Sequence, residues 1–267
     1  MKNFGIRIRS FGYRSGVSPL NKLDKIFESL GHQVIKDGEC DLIFDLTGFP
    51  DDAIKYSFKY PKAVKIFNLL NADINNPNWG DGRNVREQLL QADIPTTVSE
   101  STKRDIFNRI GINCEIIYFP MKDVEQKPIP KGIDFLYVGR LANKEKRFWL
   151  VLEILKKLSF PMEKLVVVGP EDPKIGYHTG LIGDEELSLI YNSSQYLFCP
   201  CIHEGSMSML EAIMGDCFPL VCNDNNWVHE FGLDSFSCEP NVDSFVSKIK
   251  NIENNIDKYV EIIDNLK

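Results

Sequence analysis

Residues 203–221 read HEGSMSMLEAIMGDCFPLV and combine several polar and apolar signals in a short stretch. Ser208 and Glu211 have the S-x-x-E spacing of a capping box, in which each side chain satisfies a backbone N–H at a helix start. The apolar residues that follow predict a short helix, and the run FPLV predicts a buried strand. A capping box would explain Glu211 alone. It does not explain the preceding pair of Glu204 and Gly205.

Glu204 and Gly205 indicate a binding site at this helix start. The glycine permits close approach of a ligand to the backbone, and the backbone N–H groups of a helix start attract anions. The carboxylates of Glu204 and Glu211 can accept hydrogen bonds from hydroxyl groups. This combination suits a ligand that carries both phosphate groups and sugar hydroxyls.

Predicted strands and helices alternate on both sides of this stretch. Apolar runs such as LIFD, VKIF, FLYV, LVVV and YLFC predict strands, and amphipathic segments between them predict helices. Two prolines and a glycine within residues 121–132 indicate a linker, so we predict domains at 1–125 and 126–267. The alternation predicts an α/β fold with a parallel sheet in each domain.

The composition excludes several functional classes. The 267 residues are 43% hydrophobic and 26% charged, as in ordinary globular proteins. A net charge of −7 disfavours nucleic-acid binding, which needs a basic surface. The apolar runs are too short to cross a bilayer, and the N-terminal residues lack a secretory signal, so we expect a cytoplasmic protein. The seven cysteines include no CxxC pair, and we expect no metal site.

Parallel sheets bind ligands at the carboxyl ends of their strands, which directs attention to four loops. They contain the sequences SFGYRSG, GRLANKEKR, GPEDP and CIHEGSMS. In the second loop, Arg140 and Lys146 have the charge to hold a diphosphate. The alternative is that Lys144, Lys146 and Arg147 are a solvated helix start. Because cations at a helix N-terminus are unfavourable by up to about 1 kcal/mol, an anionic ligand is the stronger explanation.

Several of these segments together resemble a known family. The sequences YVGRL, VVVGP, GDEELSLIY and FCPCIHEGSMSMLEAIMGDCFPLV occur in the order and near the spacing found in the C-terminal half of GT-B glycosyltransferases, particularly glycosyltransferase family 4. The resemblance covers residues 133–232. The N-terminal half is similar more loosely, through QADIPTTVSESTKRDIF.

This resemblance implies two Rossmann-like domains that face each other across a cleft, and transfer of a sugar from a nucleotide-diphosphate sugar with retention of configuration. It implies that Arg140 and Lys146 neutralise the diphosphate leaving group without a bound metal. Glu211 would accept the ribose hydroxyls, and Glu204 would hold hydroxyls of the donor sugar. The donor would be a UDP-sugar or a GDP-sugar, and the acceptor is an undefined glycan, lipid or protein.

The resemblance also implies a wider donor-binding set. The backbone N–H groups of Gly205, Ser206 and Met207 would face the sugar or phosphate, and the loop with Gly12 and Gly16 would meet the donor from the other domain. The complete binding set in addition to Glu211 is Gly12, Gly16, Gly139, Gly205, Ser206, Met207 and Ser208.

The chain departs from the family pattern in two ways. It has six residues between Glu204 and Glu211, where the family usually has one more, and it is shorter than most members. Alignment on Glu211 places His203 at the position of the first family glutamate, whereas alignment on the Glu-Gly pair places Glu204 there. A sugar-nucleotide epimerase of the same fold and a non-catalytic sugar-nucleotide or glycan-binding protein remain as alternative functions.

Overall fold

The computed structural model describes residues 3–9, 23–36, 38–45, 58–69, 86, 89–118, 124–142, 144–202 and 206–267. The chain divides into two compact units, Met1–Pro120 and Met121–Lys267. The sequence predicts this division a few residues later, between 125 and 126. Each unit is described below by itself.

The N-terminal unit contains a parallel sheet. Its described elements are, in chain order, β1 (Gly5–Arg9), α1 (Leu23–Ser29), β2 (Gln33–Val34), β3 (Leu42–Asp45), β4 (Val64–Leu69), β5 (Ile94–Thr97), α2 (Glu100–Ile110) and β6 (Glu115–Ile116). The six described strands pair in the order β2-β1-β3-β4-β5-β6, and every pairing is parallel. The order of the strands reverses between β1 and β3. Gly12 and Gly16 follow β1 and lie outside the described residues.

Local sequence explains the limits of α2. The Ser99 hydroxyl accepts a hydrogen bond from the Thr102 N–H at 2.9 Å, which satisfies one of the backbone donors at the helix start. Gly111 ends the helix with φ = 73°, a left-handed conformation that glycine adopts without a steric penalty. Ile106 is fully buried on the inner face of this helix. The amphipathic pattern of TKRDIF therefore predicts the observed helix.

The C-terminal unit contains a second parallel sheet. Its elements are β7 (Ile133–Val138), α3 (Phe148–Lys157), β8 (Val166–Val168), β9 (Tyr177–Gly180), α4 (Asp184–Ser193), β10 (Ser194–Cys199), α5 (Ser208–Met214), β11 (Phe218–Cys222), α6 (Asn226–Glu230), β12 (Ser237–Cys238), α7 (Val242–Asn254) and α8 (Ile256–Leu266). Three 3-10 turns, Lys144–Lys146, Met162–Lys164 and Leu233–Phe236, connect them within the described residues.

The order of the strands in this sheet is β12-β11-β10-β7-β8-β9, and all its pairings are parallel. Numbered within the unit and read from the other edge, this is the 3-2-1-4-5-6 order of the Rossmann fold. The order reverses between β7 and β10. The predicted α/β class with two parallel sheets is therefore confirmed.

Aromatic side chains hold the centre of the second sheet. Phe135 on β7 stacks on Tyr196 and Phe198 of β10, with ring centroids 5.4 and 5.1 Å apart. The Leu136 and Leu197 side chains are fully buried. Burial of such rings and aliphatic side chains contributes about 1.5–3 kcal/mol each, so the pairing of β7 with β10 is among the best-packed parts of the unit.

Two strands of this unit were not predicted from the sequence. β9 is an edge strand with the polar sequence YHTG, and its pairing with β8 shifts register between Val167 and Val168. β12 has only two residues. Neither has the apolar run or strict alternation from which strands are recognised.

Gly139 and Gly169, which follow β7 and β8, bring the two loops into backbone contact. The Gly139 N–H donates to the Val168 carbonyl at 2.9 Å. A Cβ atom on Gly169 would lie 2.2 Å from the Gly139 carbonyl oxygen, a distance that no side chain tolerates. Glycine at 169 is therefore required for the two loops to lie side by side.

We expect Gly169→Ala to destabilise the fold by about 2 kcal/mol or more, because backbone atoms must move to accept the methyl group. Gly132→Ala is the matched control, since nothing lies within 4 Å of the added Cβ position. Urea unfolding of the two variants measures the difference. Equal stability of the two variants would contradict the assigned contact.

Candidate functional site

The candidate site lies at the carboxyl ends of β7 and β10, where the order of the strands reverses. Crevices at this position bind ligands in open α/β sheets. Arg140 follows β7 and Gly139 directly and is exposed, whereas Lys146 ends the 3-10 turn further along the same loop and is half-buried. Ser206 and Met207 lie on the loop after β10. The topology thus brings two predicted segments that are distant in sequence to one edge of the sheet.

Lys146 meets the β10 loop through a hydrogen bond. Its ammonium donates to the Ser206 hydroxyl at 2.6 Å, and this hydroxyl in turn donates to the Cys201 sulfur at 3.2 Å. Ser206 is 4% exposed and Cys201 is 1% exposed. The ammonium is therefore held at a defined position by the Ser206 hydroxyl, which is itself held by the buried Cys201 sulfur. The structure brings together the predicted residues Lys146 and Ser206.

The backbone of Arg140 is held by two side chains. The Tyr137 hydroxyl donates to the Arg140 carbonyl at 3.2 Å, and the Glu171 carboxylate accepts the Leu141 N–H at 3.0 Å. These two contacts are made by the same peptide group, between residues 140 and 141. Burial raises the pKa of Tyr137 above its ordinary value, so the phenol stays protonated and can donate. The position of the Arg140 backbone, from which the side chain extends, is consequently fixed.

Glu171 and Tyr137 were not predicted as parts of the site. The sequence GPEDP identifies the loop that carries Glu171, but nothing in it indicates a partner 30 residues away. Tyr137 is part of an apolar strand run and is 2% exposed, so its sequence predicts a core residue.

Arg147 has a structural explanation that the sequence did not provide. Its guanidinium donates to both oxygens of the Asp224 carboxylate, at 3.0 and 2.5 Å, and to the Pro200 carbonyl at 3.4 Å. Arg147 has φ = 51°, an unfavourable left-handed conformation at the start of α3. Asp224 therefore accounts for one of the three clustered cations, and this arginine needs no ligand to balance its charge.

Glu211 is 4% exposed on α5, and its carboxylate accepts a hydrogen bond from the Tyr191 hydroxyl at 2.9 Å. Burial, and secondly the negative charge of Glu211, raise the pKa of Tyr191 well above its ordinary value. The phenol remains a donor. A buried carboxylate is costly unless donors compensate for the lost water, and Tyr191 supplies one such donor.

The capping-box interpretation of Ser208 and Glu211 is wrong. Ser208 is the first residue of α5, and the N-cap is Met207, which makes no side-chain cap. The Ser208 hydroxyl lies 3.8 Å from the Cys199 sulfur. The Met207 carbonyl accepts the N–H groups of Leu210 and Glu211. Glu211 is thus directed by the packing of α5 against α4 and not by a local cap.

Gly215 ends α5 in contact with Tyr191. A Cβ atom at this position would lie 2.7 Å from the Tyr191 Cβ, so a side chain here would displace the tyrosine. The Gly215 carbonyl accepts a hydrogen bond from the Lys131 ammonium at 3.2 Å, and burial lowers the pKa of this lysine. The glycine in the quoted stretch is therefore needed for close approach between α5 and α4.

Some of the predicted site residues lie outside the described part of the chain, and the others lie near the candidate site. Glu204 and Gly205, with the alternative residue His203, lie outside the described residues, as do Gly12 and Gly16. Gly139, Arg140, Lys146, Ser206, Met207, Ser208 and Glu211 all lie at the carboxyl edge of the second sheet or on the helix that follows it. Their roles toward a ligand stay predictions.

Within the described part of the chain, no group of three or more histidine, cysteine, aspartate or glutamate side chains has the arrangement of a metal site. The buried Cys199 and Cys201 thiols contact serine hydroxyls.

None of the helices formed by the described residues is long and apolar enough to cross a membrane.

Comparisons with known proteins identify the fold. No family model and no curated protein sequence matches the chain. Among solved structures, a glycosyltransferase from Rickettsia africae is similar over 100% of this chain and 93% of its own, with a TM-score of 0.69 and 12% identity. A sucrose-phosphate synthase from Thermosynechococcus elongatus is similar over 95% and 90%, with a TM-score of 0.69 and 9% identity.

TarM is also similar, with a TM-score of 0.66 and 15% identity, over 84% of this chain and 50% of TarM. The chain thus spans half the length of TarM. A structure of an S. aureus TarM variant, similar over 84% of this chain with a TM-score of 0.61 and 15% identity, contains UDP, fondaparinux and α-GlcNAc-glycerol. At these identities the comparisons establish a shared fold. Two parallel sheets of the GT-B glycosyltransferase type are therefore the architecture of this protein.

We expect Asp224→Ala to lower the free energy of unfolding by about 1 kcal/mol, because the bidentate pair is partly buried and stabilises an unfavourable Arg147 backbone. Glu125→Ala is the control, since the Glu125 carboxylate pairs with Lys127 at 3.1 Å on the exposed surface. Chemical denaturation compares the two variants. A larger loss in the control would show that the Arg147 contact has no special role.

Proposed function

We propose that this protein is a retaining glycosyltransferase that moves a sugar from a nucleotide-diphosphate sugar to an acceptor hydroxyl without a metal ion. The observation that carries the proposal is the contact between Lys146 and Ser206 at the reversal of strand order. It places a cation at the edge of the sheet where open α/β folds bind nucleotides. Arg140 adds a second cation on the same loop, and its peptide group is held by Tyr137 and Glu171.

Positive charge at this position suits the chemistry of sugar transfer. The bond between the anomeric carbon and the diphosphate oxygen breaks, and its electron pair leaves with the nucleotide diphosphate. The acceptor hydroxyl oxygen forms the new bond to the anomeric carbon, and its proton passes to the departing diphosphate oxygen. Because negative charge grows on the diphosphate, fixed cations stabilise the transition state more than the ground state. Arg140 and Lys146 would perform this task, which in other transferases is performed by a metal ion.

The other predicted residues would orient the donor. Glu211, with its carboxylate held by Tyr191, would accept the ribose hydroxyls. Glu204 would accept hydroxyls of the sugar, and backbone N–H groups of Gly205 to Met207 would contact sugar or phosphate. UDP bound to the TarM variant supports a nucleotide diphosphate as the ligand. The donor would be a UDP-sugar or a GDP-sugar, and transfer would retain the configuration, as the resemblance to glycosyltransferase family 4 implies.

Incubation with a panel of UDP- and GDP-sugars tests this function. Release of the nucleoside diphosphate, by hydrolysis or on addition of candidate glycan, lipid and protein acceptors, is the expected result, and it should persist in excess EDTA. An altered sugar on an intact nucleotide would instead identify an epimerase. Tight binding without turnover would identify a binding protein, and loss of activity in EDTA would contradict the metal-free mechanism.

We expect Lys146→Ala and Arg140→Ala each to lower kcat by about 100- to 1,000-fold, the usual effect of removing one group that stabilises transition-state charge. Lys144→Ala is the matched control, because Lys144 is an exposed lysine on the same 3-10 turn. Steady-state kinetics and thermal melting of all three variants separate catalysis from stability. If Lys144→Ala lost as much activity as Lys146→Ala, the assignment of Lys146 to the diphosphate would be wrong.

A further inference from the structure

The Tyr191 phenol is a fully buried polar group that contacts the Glu211 carboxylate. Tyr191 lies on α4, is 0% exposed, and donates to one oxygen of the Glu211 carboxylate at 2.9 Å. The sequence predicts neither this contact nor a role for the tyrosine, whose place in an amphipathic helix indicates a core residue. Yet a core position alone does not need a hydroxyl group.

The surroundings of Tyr191 leave it little freedom. Gly215 lies against its Cβ so closely that even a methyl group would not fit. Leu187, one turn earlier on the same helix, and Ala212 and Ile213 on α5 are also buried, at 6%, 0% and 4% exposure. Two rotatable bonds place the tyrosine ring, so a fully buried ring fixes the position of its hydroxyl oxygen, and the O–H group points to the acceptor that lies there. The carboxylate that accepts this hydrogen bond is then fixed in turn.

We propose that Tyr191 is a positioning residue which makes the site selective for ribonucleotides over deoxyribonucleotides, by fixing the plane of the Glu211 carboxylate. This inference rests on the proposed function, in which Glu211 accepts the ribose hydroxyls. It adds the structural reason for their recognition and assigns that role to a residue that does not touch the ligand.

The physical argument concerns orientation. The 2′ and 3′ hydroxyls of ribose are neighbours on one ring, and a carboxylate can accept from both only when its plane is aligned with them. A carboxylate that can rotate makes these bonds for part of the time and loses entropy on binding. One held by a buried phenol is aligned before the ligand arrives. The phenol therefore contributes to selectivity against a missing hydroxyl.

Isothermal titration calorimetry with the full-length protein tests this inference. The ligands are UDP and GDP with their 2′-deoxy and 3′-deoxy forms. In the wild type, removal of one hydroxyl should weaken binding by about tenfold or more, since it loses a hydrogen bond to a charged group. In Tyr191→Phe this ratio should fall to about threefold or less, because the unaligned carboxylate gains less from each hydroxyl. Affinity for the deoxy forms should fall less than affinity for UDP and GDP, because each deoxy form keeps only one of the two hydroxyls that the carboxylate accepts.

Tyr259→Phe is the matched control. Tyr259 is 4% exposed in the same unit, and its hydroxyl accepts a hydrogen bond from the Asn251 amide at 2.8 Å between α7 and α8. This variant also loses one buried phenol hydroxyl, but its selectivity should equal that of the wild type. Equal loss of selectivity in both variants would attribute the effect to general destabilisation and overturn the inference.

Glu211→Gln provides a second measurement that does not depend on the folding of Tyr191→Phe. It should lose the selectivity with Tyr191 in place, and the double variant should show no further loss, as expected when one residue acts through the other. Retained selectivity in Glu211→Gln would overturn the inference.

Two further outcomes separate the inference from the proposed function. A wild-type protein that binds no nucleotide diphosphate would contradict both. Selective binding by the wild type that Tyr191→Phe retains in full would leave the proposed function intact and overturn only the role of Tyr191.

Discussion

The pairing of β7 with β10 is the contact on which the candidate site depends. These strands are far apart in the chain, yet Tyr196 pairs with Phe135 and Phe198 with Tyr137 in parallel register. Stacked aromatic rings and fully buried leucines stabilise this pairing. The order of the strands reverses here, which is the position where open α/β sheets bind ligands. Without this pairing, Lys146 and Ser206 would have no common location.

The sequence predicts the sheets well because each central strand is a buried apolar run bounded by glycine, proline or charged residues. It also predicts which loops matter, since a general rule places ligands at the carboxyl ends of parallel strands. It predicts β9 poorly because an edge strand needs few apolar side chains. The local rule for capping failed at Ser208 because packing of α5 against β10 directs this hydroxyl toward Cys199.

Contacts between distant residues account for the rest of what the sequence did not predict. Arg147 and Asp224 are 77 positions apart, and Tyr191 and Glu211 are 20 apart, so no local pattern connects them. Gly215 is a different case. Its position after a helix indicates an ordinary helix end, whereas the structure shows that it is needed because Tyr191 occupies the space of a side chain. Such a requirement follows only from the packed structure.

Lys146 and Arg147 are adjacent cations, but only the charge of Arg147 is compensated by a carboxylate in the contacts described above. Arg147 shares its charge with a carboxylate, and so contributes little to the potential beyond its own pair. The Lys146 ammonium donates a hydrogen bond to the neutral hydroxyl of Ser206, which orients the ammonium without cancelling its charge. An incoming anion therefore does not have to displace a competing carboxylate from that contact. Under the proposed function, the Lys146 charge would attract the diphosphate of the ligand over a distance, and added salt would slow the capture of the ligand.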